Sequence, residues 1–263
     1  MTTPSDRWAD LRPRVLSAIA MVALGAVEIW LGGLSFLLLV TLATALMIWE
    51  LTTITAPKSP KISLAIAVLA ALSLIADEGW PSMSAFLLFP WVILAVAVTP
   101  RLYALPSAAI AAAIMISGHG LFVLRDEAGT PAILWLLGVV IASDVMGYFA
   151  GRILGGPKFW PAISPKKTWS GTVAGWIGAA LVGLGFVLMG HGTWPLVLLS
   201  PLIAFAGQMG DVGESWIKRR TGVKDSSQLI PGHGGLMDRF DALTAAMVIV
   251  LILQYLSALP VGV

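Results

Sequence analysis

The sequence has no cysteine and very little charge. Without cysteine, the 263-residue chain can form neither disulfides nor a cysteine zinc site, and it has no thiolate nucleophile. Its three histidines, His119, His191 and His233, are far apart and show no metal-ligand spacing. The chain also lacks a P-loop, a GxGxxG turn after a strand and a G-x-S-x-G elbow. Only 11% of residues are charged, which is low for a water-soluble protein.

Apolar residues make up 58% of the chain, and they occur in long runs. Runs of about 18 or more such residues are typical of membrane-spanning helices, because a backbone in lipid must satisfy its own hydrogen bonds. We therefore predict an all-α integral membrane protein, with the first run retained as a span. The nine predicted spans are approximately 15–31, 34–54, 62–76, 82–99, 102–124, 131–150, 171–190, 195–214 and 240–259.

Lysine and arginine are distributed unequally between the two sides of this predicted topology. Of the 16 such residues, all except Arg125 fall on one side. The positive-inside rule then predicts a cytoplasmic N-terminus, an external C-terminus and a multi-pass protein of the inner (cytoplasmic) membrane. We expect a single membrane domain over 1–263, with N-terminal spans in 1–130 and a catalytic region in 131–263. That region contains two cytoplasmic loops, 151–170 and 215–239.

Several carboxylates fall inside or at the ends of predicted spans, where ionisable groups are costly and often functional. These residues are Glu28, Glu50, Asp144, Asp211, Glu214 and Asp241. Glu28 and Glu50 lie near span ends, where a carboxylate reaches water or a neighbouring helix, and we favour a structural role for them. Asp211 and Glu214 share one face if their stretch is helical. The neighbouring Gly207, Gly210 and Gly213 would let another helix, or a ligand, approach closely.

Basic residues lie close to these carboxylates and allow two interpretations. Lys218, Arg219, Arg220 and Lys224 are either anchors that pair with acids and lipid headgroups, or the phosphate-binding part of a metal–phosphate site. Gly234 and Gly235 favour the second interpretation, because such a turn can direct backbone N–H groups at an anion. In the other loop, Lys166 and Lys167 precede Thr168 and Ser170, whose hydroxyls cap the next span or bind phosphate.

The stretch SWIKRRTGVKDSSQLIPGHGGLMDRFD, from Ser215 to Asp241, resembles the signature of the phosphatidate cytidylyltransferase (CDP-diacylglycerol synthase) family. The upstream GDVGES and ISPKKTWSG resemble two further elements of that family, so the resemblance is specific over 144–241. Around Asp144 the chain reads SDVMGYFAGR, whereas family members more usually have a small or hydroxyl residue after the aspartate. The matched signature positions are Ser215, Lys218, Arg219, Lys224, Asp225, Ser227, Pro231, His233, Gly234, Gly235, Asp238, Arg239 and Asp241.

This resemblance implies transfer of CMP from CTP to phosphatidic acid, giving CDP-diacylglycerol and pyrophosphate. The implied partners are CTP, phosphatidic acid and the lipid bilayer, without nucleic acid, and the implied cofactor is Mg²⁺, as a pair of metal ions of which the second may differ. The implied metal ligands are Asp211 and Asp238, with Asp144 and Asp241 in reserve. The implied catalytic residues are Asp211, Asp238, Lys218, Lys224 and Arg239. The implied substrate-binding residues are Lys166, Lys167, Ser170, Ser215, Arg219, His233, Gly234 and Gly235.

Two other functions remain open from the sequence. The same fold would serve a cytidylyltransferase or kinase acting on a polyprenol or ether-lipid phosphate. A non-enzymatic anion transporter would use the intramembrane acids as coupling sites. The oligomeric state is open as well, a homodimer included.

Overall fold

A computed structural model of the chain describes the backbone of residues 4–79 and 85–261, and the side chains of residues 15–79 and 87–261. Within these ranges the chain forms nine helices and one pair of strands. The helices are α1 (Pro4–Leu31), α2 (Gly33–Thr55), α3 (Pro60–Gly79), α4 (Ala85–Val98), α5 (Ala104–Glu127), α6 (Gly129–Ile153), α7 (Trp169–Leu188), α8 (Pro195–Arg220) and α9 (Met237–Tyr255). The strands, β1 (Lys158–Trp160) and β2 (Ser164–Thr168), lie between α6 and α7.

The helices confirm the predicted helical membrane protein. Among the described residues, six helices are long and apolar enough to cross a membrane, namely α2, α3, α5, α6, α7 and α8. Each predicted span coincides with a helix, although the first residues of 82–99 lie outside the described residues. That all nine helices cross the bilayer, and in which direction, stays a prediction.

A short hairpin is the element that the sequence did not predict within the mostly helical fold. Strands β1 and β2 pair antiparallel, with Lys158 opposite Thr168, in a segment that the sequence predicted as a loop. Three and five residues are too few to show an alternating pattern. Helix α8 also continues to Arg220, six residues beyond the predicted end at 214. Hydropathy detects only the apolar part of α8, and its last two turns are charged.

The chain folds as two compact units, of which the first comprises the described residues up to Ala111 together with Arg220–Phe240. In this unit α2 packs against α1 and α3, and α3 packs against α4. The interior side of α2 is fully buried at Ile48 and Leu51. Helix α2 is therefore the central element of the first unit.

The second unit comprises Ala112–Arg219 and the described residues from Asp241 onward. In this unit α6 and α7 pack closely through glycines: a Cβ on Gly171 would lie 2.6 Å from the carbonyl oxygen of Gly147. Small residues allow such close helix contacts in membranes. The side chain of Gln208 in α8 joins this pair, since it donates to Ser143 Oγ at 3.2 Å in α6 and accepts from Trp176 Nε1 at 3.1 Å in α7.

Candidate active site

Three carboxylates converge in the second unit. Asp211 and Glu214 lie on α8, and Asp241 lies on α9; one oxygen from each is within 4.8 Å of the others. The predicted shared face of Asp211 and Glu214 is confirmed, because α8 is helical through both residues. Carboxylate oxygens at this spacing are the hard ligands that Mg²⁺ and Ca²⁺ prefer, so the group fits a divalent cation.

Glycines on α8 explain why Asp241 is close to the α8 acids. A Cβ on Gly210 would lie 2.5 Å from the carbonyl oxygen of Asp241 and 2.6 Å from Cβ of Ala245. A Cβ on Gly207 would lie 3.1 Å from the carbonyl oxygen of Ala242. The predicted close approach of a helix is therefore confirmed at Gly207 and Gly210. Around Gly213 the space is open, with nothing within 4 Å of the corresponding Cβ position.

Two lysines pair with the acids of this cluster. Lys167 Nζ lies 2.5 Å from Asp211 Oδ2 and also donates to the carbonyl oxygen of Gln208 at 3.1 Å. Lys218, which is 9% exposed, lies 2.7 Å from Glu214 Oε2, one turn away on α8. Two ammonium groups thus face three carboxylates, with Lys167 beside Asp211 and Lys218 beside Glu214, and a bound cation would add to this compensation.

Lys167 lies on strand β2 of the hairpin, directly before the N-cap of α7. Thr168 is the N-cap of α7 and accepts a hydrogen bond from the Gly171 backbone N–H at 3.2 Å, which is one of the two roles that the sequence left open for it. Ser170 donates to the carbonyl oxygen of Gly155 and lies 3.0 Å from the Thr168 hydroxyl, so it closes the segment between α6 and α7. Lys166 is exposed, and its substrate role stays a prediction.

The remaining predicted residues of the second unit lie beside the cluster or outside it. Ser215 donates to Asp211 Oδ1 at 3.2 Å, which orients that carboxylate. Arg219 is exposed at the end of α8. Asp144 is exposed on α6 and is not part of the three-carboxylate group. Its role as a reserve ligand stays a prediction.

The signature loop, Lys224 to Asp238, belongs to the first unit. It contains a tight turn in which Ile230 and Gly234 pair, the Ile230 N–H donating to the Gly234 carbonyl oxygen at 2.8 Å. His233 Nδ1 lies 2.9 Å from the Ser17 hydroxyl of α1. Arg239, just after the loop, donates from Nε and Nη2 to the His233 carbonyl oxygen at 3.0 and 2.7 Å. The exposed Lys224 lies at the start of the loop.

Asp238 is strongly engaged inside this loop. Its Oδ2 accepts the Gly235 N–H at 2.7 Å, the Ser226 N–H at 2.8 Å and the Ser226 hydroxyl at 2.9 Å. The glycine turn was predicted to direct N–H groups at a phosphate, and in the structure one of them binds this carboxylate. Phosphate binding by Gly234 and Gly235, and metal binding by Asp238, both stay predictions.

The sequence did not predict two polar contacts. Gln208 joins α6, α7 and α8, and its signal in the sequence is a single amide within an apolar run. Glu50 is 0% exposed, so of the two surroundings predicted for it, water or a neighbouring helix, only the second fits. It contacts the signature loop and the first residue of α9, 176 or more residues away in sequence, and hydropathy carries no information about such a contact.

Comparison with known proteins matches residues 12–257 to the cytidylyltransferase family. This protein belongs to that family. The resemblance of the Ser215–Asp241 stretch is thereby confirmed, and it extends to the N-terminal helices, which the sequence motifs did not cover.

Individual relatives of this cytidylyltransferase agree with the family assignment. The phosphatidate cytidylyltransferase of Brucella abortus is 34% identical over 260 residues, which cover 96% of each chain. The phosphatidate cytidylyltransferases of Helicobacter pylori and Haemophilus influenzae are 44% and 40% identical over 126 and 136 residues. Those two alignments cover 47% and 49% of this chain, and 47% and 44% of the relatives.

Proposed function

We propose that this protein transfers CMP from CTP to phosphatidate, producing CDP-diacylglycerol and pyrophosphate. The observation that carries the proposal is the carboxylate group of Asp211, Glu214 and Asp241 with its two lysines, in a chain of the cytidylyltransferase family. The assignment of phosphatidate as the acceptor rests on relatives named phosphatidate cytidylyltransferase, one of which aligns over 96% of the chain.

The chemistry requires charge neutralisation more than proton transfer. Phosphatidate is a phosphomonoester with a second pKa of about 6, so it is mostly dianionic near neutral pH and needs no strong base. One of its oxygens attacks the α-phosphorus of CTP. The bond from that phosphorus to the oxygen bridging to the β-phosphate breaks, and pyrophosphate leaves with the electron pair. Because both reactants are anions, catalysis consists mainly of positioning and electrostatic stabilisation.

The chain has residues for both tasks. Lys167 and Lys218 hold the Asp211 and Glu214 carboxylates in place and are close enough to meet phosphate oxygens that approach the cluster. We assign Lys224, Arg219 and Arg239, all exposed, to phosphate binding. Mg²⁺ held by Asp211, Glu214 and Asp241 would neutralise phosphate oxygens and orient them. Asp238 stays a predicted further ligand, as does the second metal ion.

We further propose that the reaction occurs on the cytoplasmic side of the inner membrane. The proposal is supported by the Lys and Arg distribution, which assigns the basic loops to the side where CTP is available.

An acceptor panel tests the substrate assignment. The purified chain is incubated with CTP, Mg²⁺ and either phosphatidate, a polyprenyl phosphate or an ether-lipid phosphate, and the CDP-lipid is measured by mass spectrometry. We expect turnover with phosphatidate to exceed the others at least tenfold. Turnover restricted to another acceptor would assign that lipid as the substrate, and transport of an anion without any CDP-lipid would favour the transporter.

A further inference from the structure

Glu50 is a buried carboxylate to which the reaction assigns no task. It lies on α2 in the first unit, is 0% exposed, and has the fully buried Ile48 and Leu51 as close neighbours on the helix. An ionised carboxylate in such surroundings costs several kcal/mol unless hydrogen bonds or opposite charge compensate it. The partners of Glu50 therefore indicate why it is there.

The partners of Glu50 are four donors of the segment 226–237. Oε1 accepts the Ser227 hydroxyl at 2.6 Å and the Leu236 backbone N–H at 2.9 Å. Oε2 accepts the Met237 backbone N–H at 2.7 Å and the Ser226 hydroxyl at 3.1 Å. Each oxygen thus receives one hydroxyl from the beginning of the segment and one N–H from its end.

The two N–H groups lie at the start of α9, which begins at Met237. The first N–H groups of a helix have no partner inside the helix, and they carry the positive end of its dipole. Glu50 therefore caps α9 from a different helix, and in the same contact it holds Ser226 and Ser227. The Glu50 side chain thus links the first serines of the loop to the beginning of α9.

The space beside this contact has no room for a side chain at position 235. A Cβ on Gly235 would lie 2.0 Å from Ser226 Oγ and 2.5 Å from Glu50 Oε1. The Ser226 hydroxyl, with its one proton, also lies 2.9 Å from Asp238 Oδ2. Glu50 and Asp238 thus hold the same serine from two sides, and the loop backbone is fixed between them.

We propose that Glu50 is a positioning residue that sets the geometry of the signature loop and, through it, of the cations at the ends of that loop. Lys224 is two residues before Ser226, and Arg239 is two residues after Met237. A fixed backbone between these points fixes where both cations can meet phosphate. The catalytic part of this inference rests on the proposed function, whereas the structural part does not.

The test is Glu50→Gln, with Glu28→Gln as the matched control. Glutamine keeps the shape but replaces one oxygen by an NH₂ group, which then faces a backbone N–H at whichever position it occupies. Glu28 is a carboxylate on α1 of the same unit, without a bond to the loop in the described structure. We expect Glu50→Gln to raise KM for CTP at least fivefold and to lower kcat/KM at least tenfold, with Glu28→Gln within twofold of wild type.

The KM separates positioning from simple loss of folded protein, because a smaller folded fraction lowers apparent kcat and leaves KM unchanged. An unchanged KM for CTP in Glu50→Gln would overturn the proposal. A milder variant, Ser227→Ala, removes one of the four bonds, and we expect a rise of KM in the same direction, about two- to threefold by the loss of one hydrogen bond.

Hydrogen exchange in detergent provides a readout that does not depend on activity. We expect the amides of Leu236 and Met237 to exchange at least tenfold faster in Glu50→Gln than in wild type or Glu28→Gln. Equal exchange in all three proteins would contradict the contact itself. If wild type made no CDP-diacylglycerol, the proposed function would fail, and the exchange measurement would still decide whether Glu50 holds the loop.

Discussion

At the scale of single residues, the pairing of acids with lysines explains how an otherwise apolar chain can hold a cluster of charged residues that binds phosphates. Asp211 has Lys167 and Ser215 as partners, and Glu214 has Lys218, so two acids of the cluster are compensated before any ligand binds. Such pairing lowers the cost of placing charge at the end of a membrane helix. It also keeps the carboxylates in defined positions for a cation.

Neutralising Asp211 or Asp241 should weaken Mg²⁺ binding and lower activity. For Asp211→Asn and Asp241→Asn we expect kcat to fall about 100-fold or more, because loss of even an outer-shell partner typically costs 10- to 100-fold. In the activity that remains, the Mg²⁺ concentration for half-maximal rate should be higher than in wild type. The exposed Asp126 provides the control Asp126→Asn, which should behave as wild type. If both variants showed the Mg²⁺ dependence of wild type, Asp211 and Asp241 would not be metal ligands.

Lys167 should contribute to catalysis although its side chain is partly exposed. Lys167→Ala removes the partner of Asp211 and a cation beside the cluster, so we expect kcat/KM for CTP to fall at least tenfold. Lys158→Ala, on the exposed side of β1, is the control for loss of one positive charge from the same hairpin. Equal activity of the two variants would show that Lys167 contributes only to the general surface charge.

At the scale of elements, the contact between α8 and α9 determines whether the cluster forms. Without a side chain at Gly210, the two backbones approach until Asp241 is beside Asp211 and Glu214. Any Cβ at this position meets the Asp241 carbonyl oxygen at 2.5 Å and moves that backbone. A methyl group at Gly210 is therefore expected to move Asp241 away from the two α8 acids.

Gly210→Ala should reduce both stability and activity. We expect a loss of about 1–3 kcal/mol in the free energy of unfolding, as for other overpacked contacts, and a higher Mg²⁺ concentration for half-maximal activity. Gly185→Ala on α7, where nothing lies within 4 Å of the new methyl group, should leave the melting temperature the same or raise it. A Gly210→Ala protein that melts and turns over like Gly185→Ala would show that α8 and α9 do not depend on this approach.

The sequence predicted the elements better than it predicted their contacts. In the part of the chain that the structure describes, each of the nine predicted apolar runs coincides with a helix, because a run of apolar residues is a local property. The contacts of Glu50 depend on partners distant in sequence. The β1–β2 hairpin and the charged end of α8 are local, but neither contains the apolar run that the prediction relied on. The sequence predicted that Asp211 and Glu214 share a helix face and named Asp241 only as a reserve ligand beside Asp238, whereas the meeting of Asp241 with the two α8 acids required the observed α8–α9 approach.

At the scale of the whole molecule, the distribution of Lys and Arg predicts which side of the membrane each connection faces. The lack of native cysteine allows a direct test, since a single introduced cysteine is the only thiol. Lys58 follows α2 and Asp126 lies at the end of α5, and both are exposed. In intact cells we expect a membrane-impermeant maleimide to label Asp126→Cys and to label Lys58→Cys only after permeabilisation. The reverse pattern would overturn the orientation.

The central claim is that this chain is a metal-dependent enzyme that makes CDP-diacylglycerol from CTP and phosphatidate. The most direct measurement follows that product and pyrophosphate, by mass spectrometry and a coupled assay, with the purified wild-type chain in detergent. We predict equal amounts of both products with Mg²⁺, and none after EDTA until Mg²⁺ is restored. Undiminished product formation in excess EDTA, or no CDP-diacylglycerol from a folded protein under any of these conditions, would contradict the account.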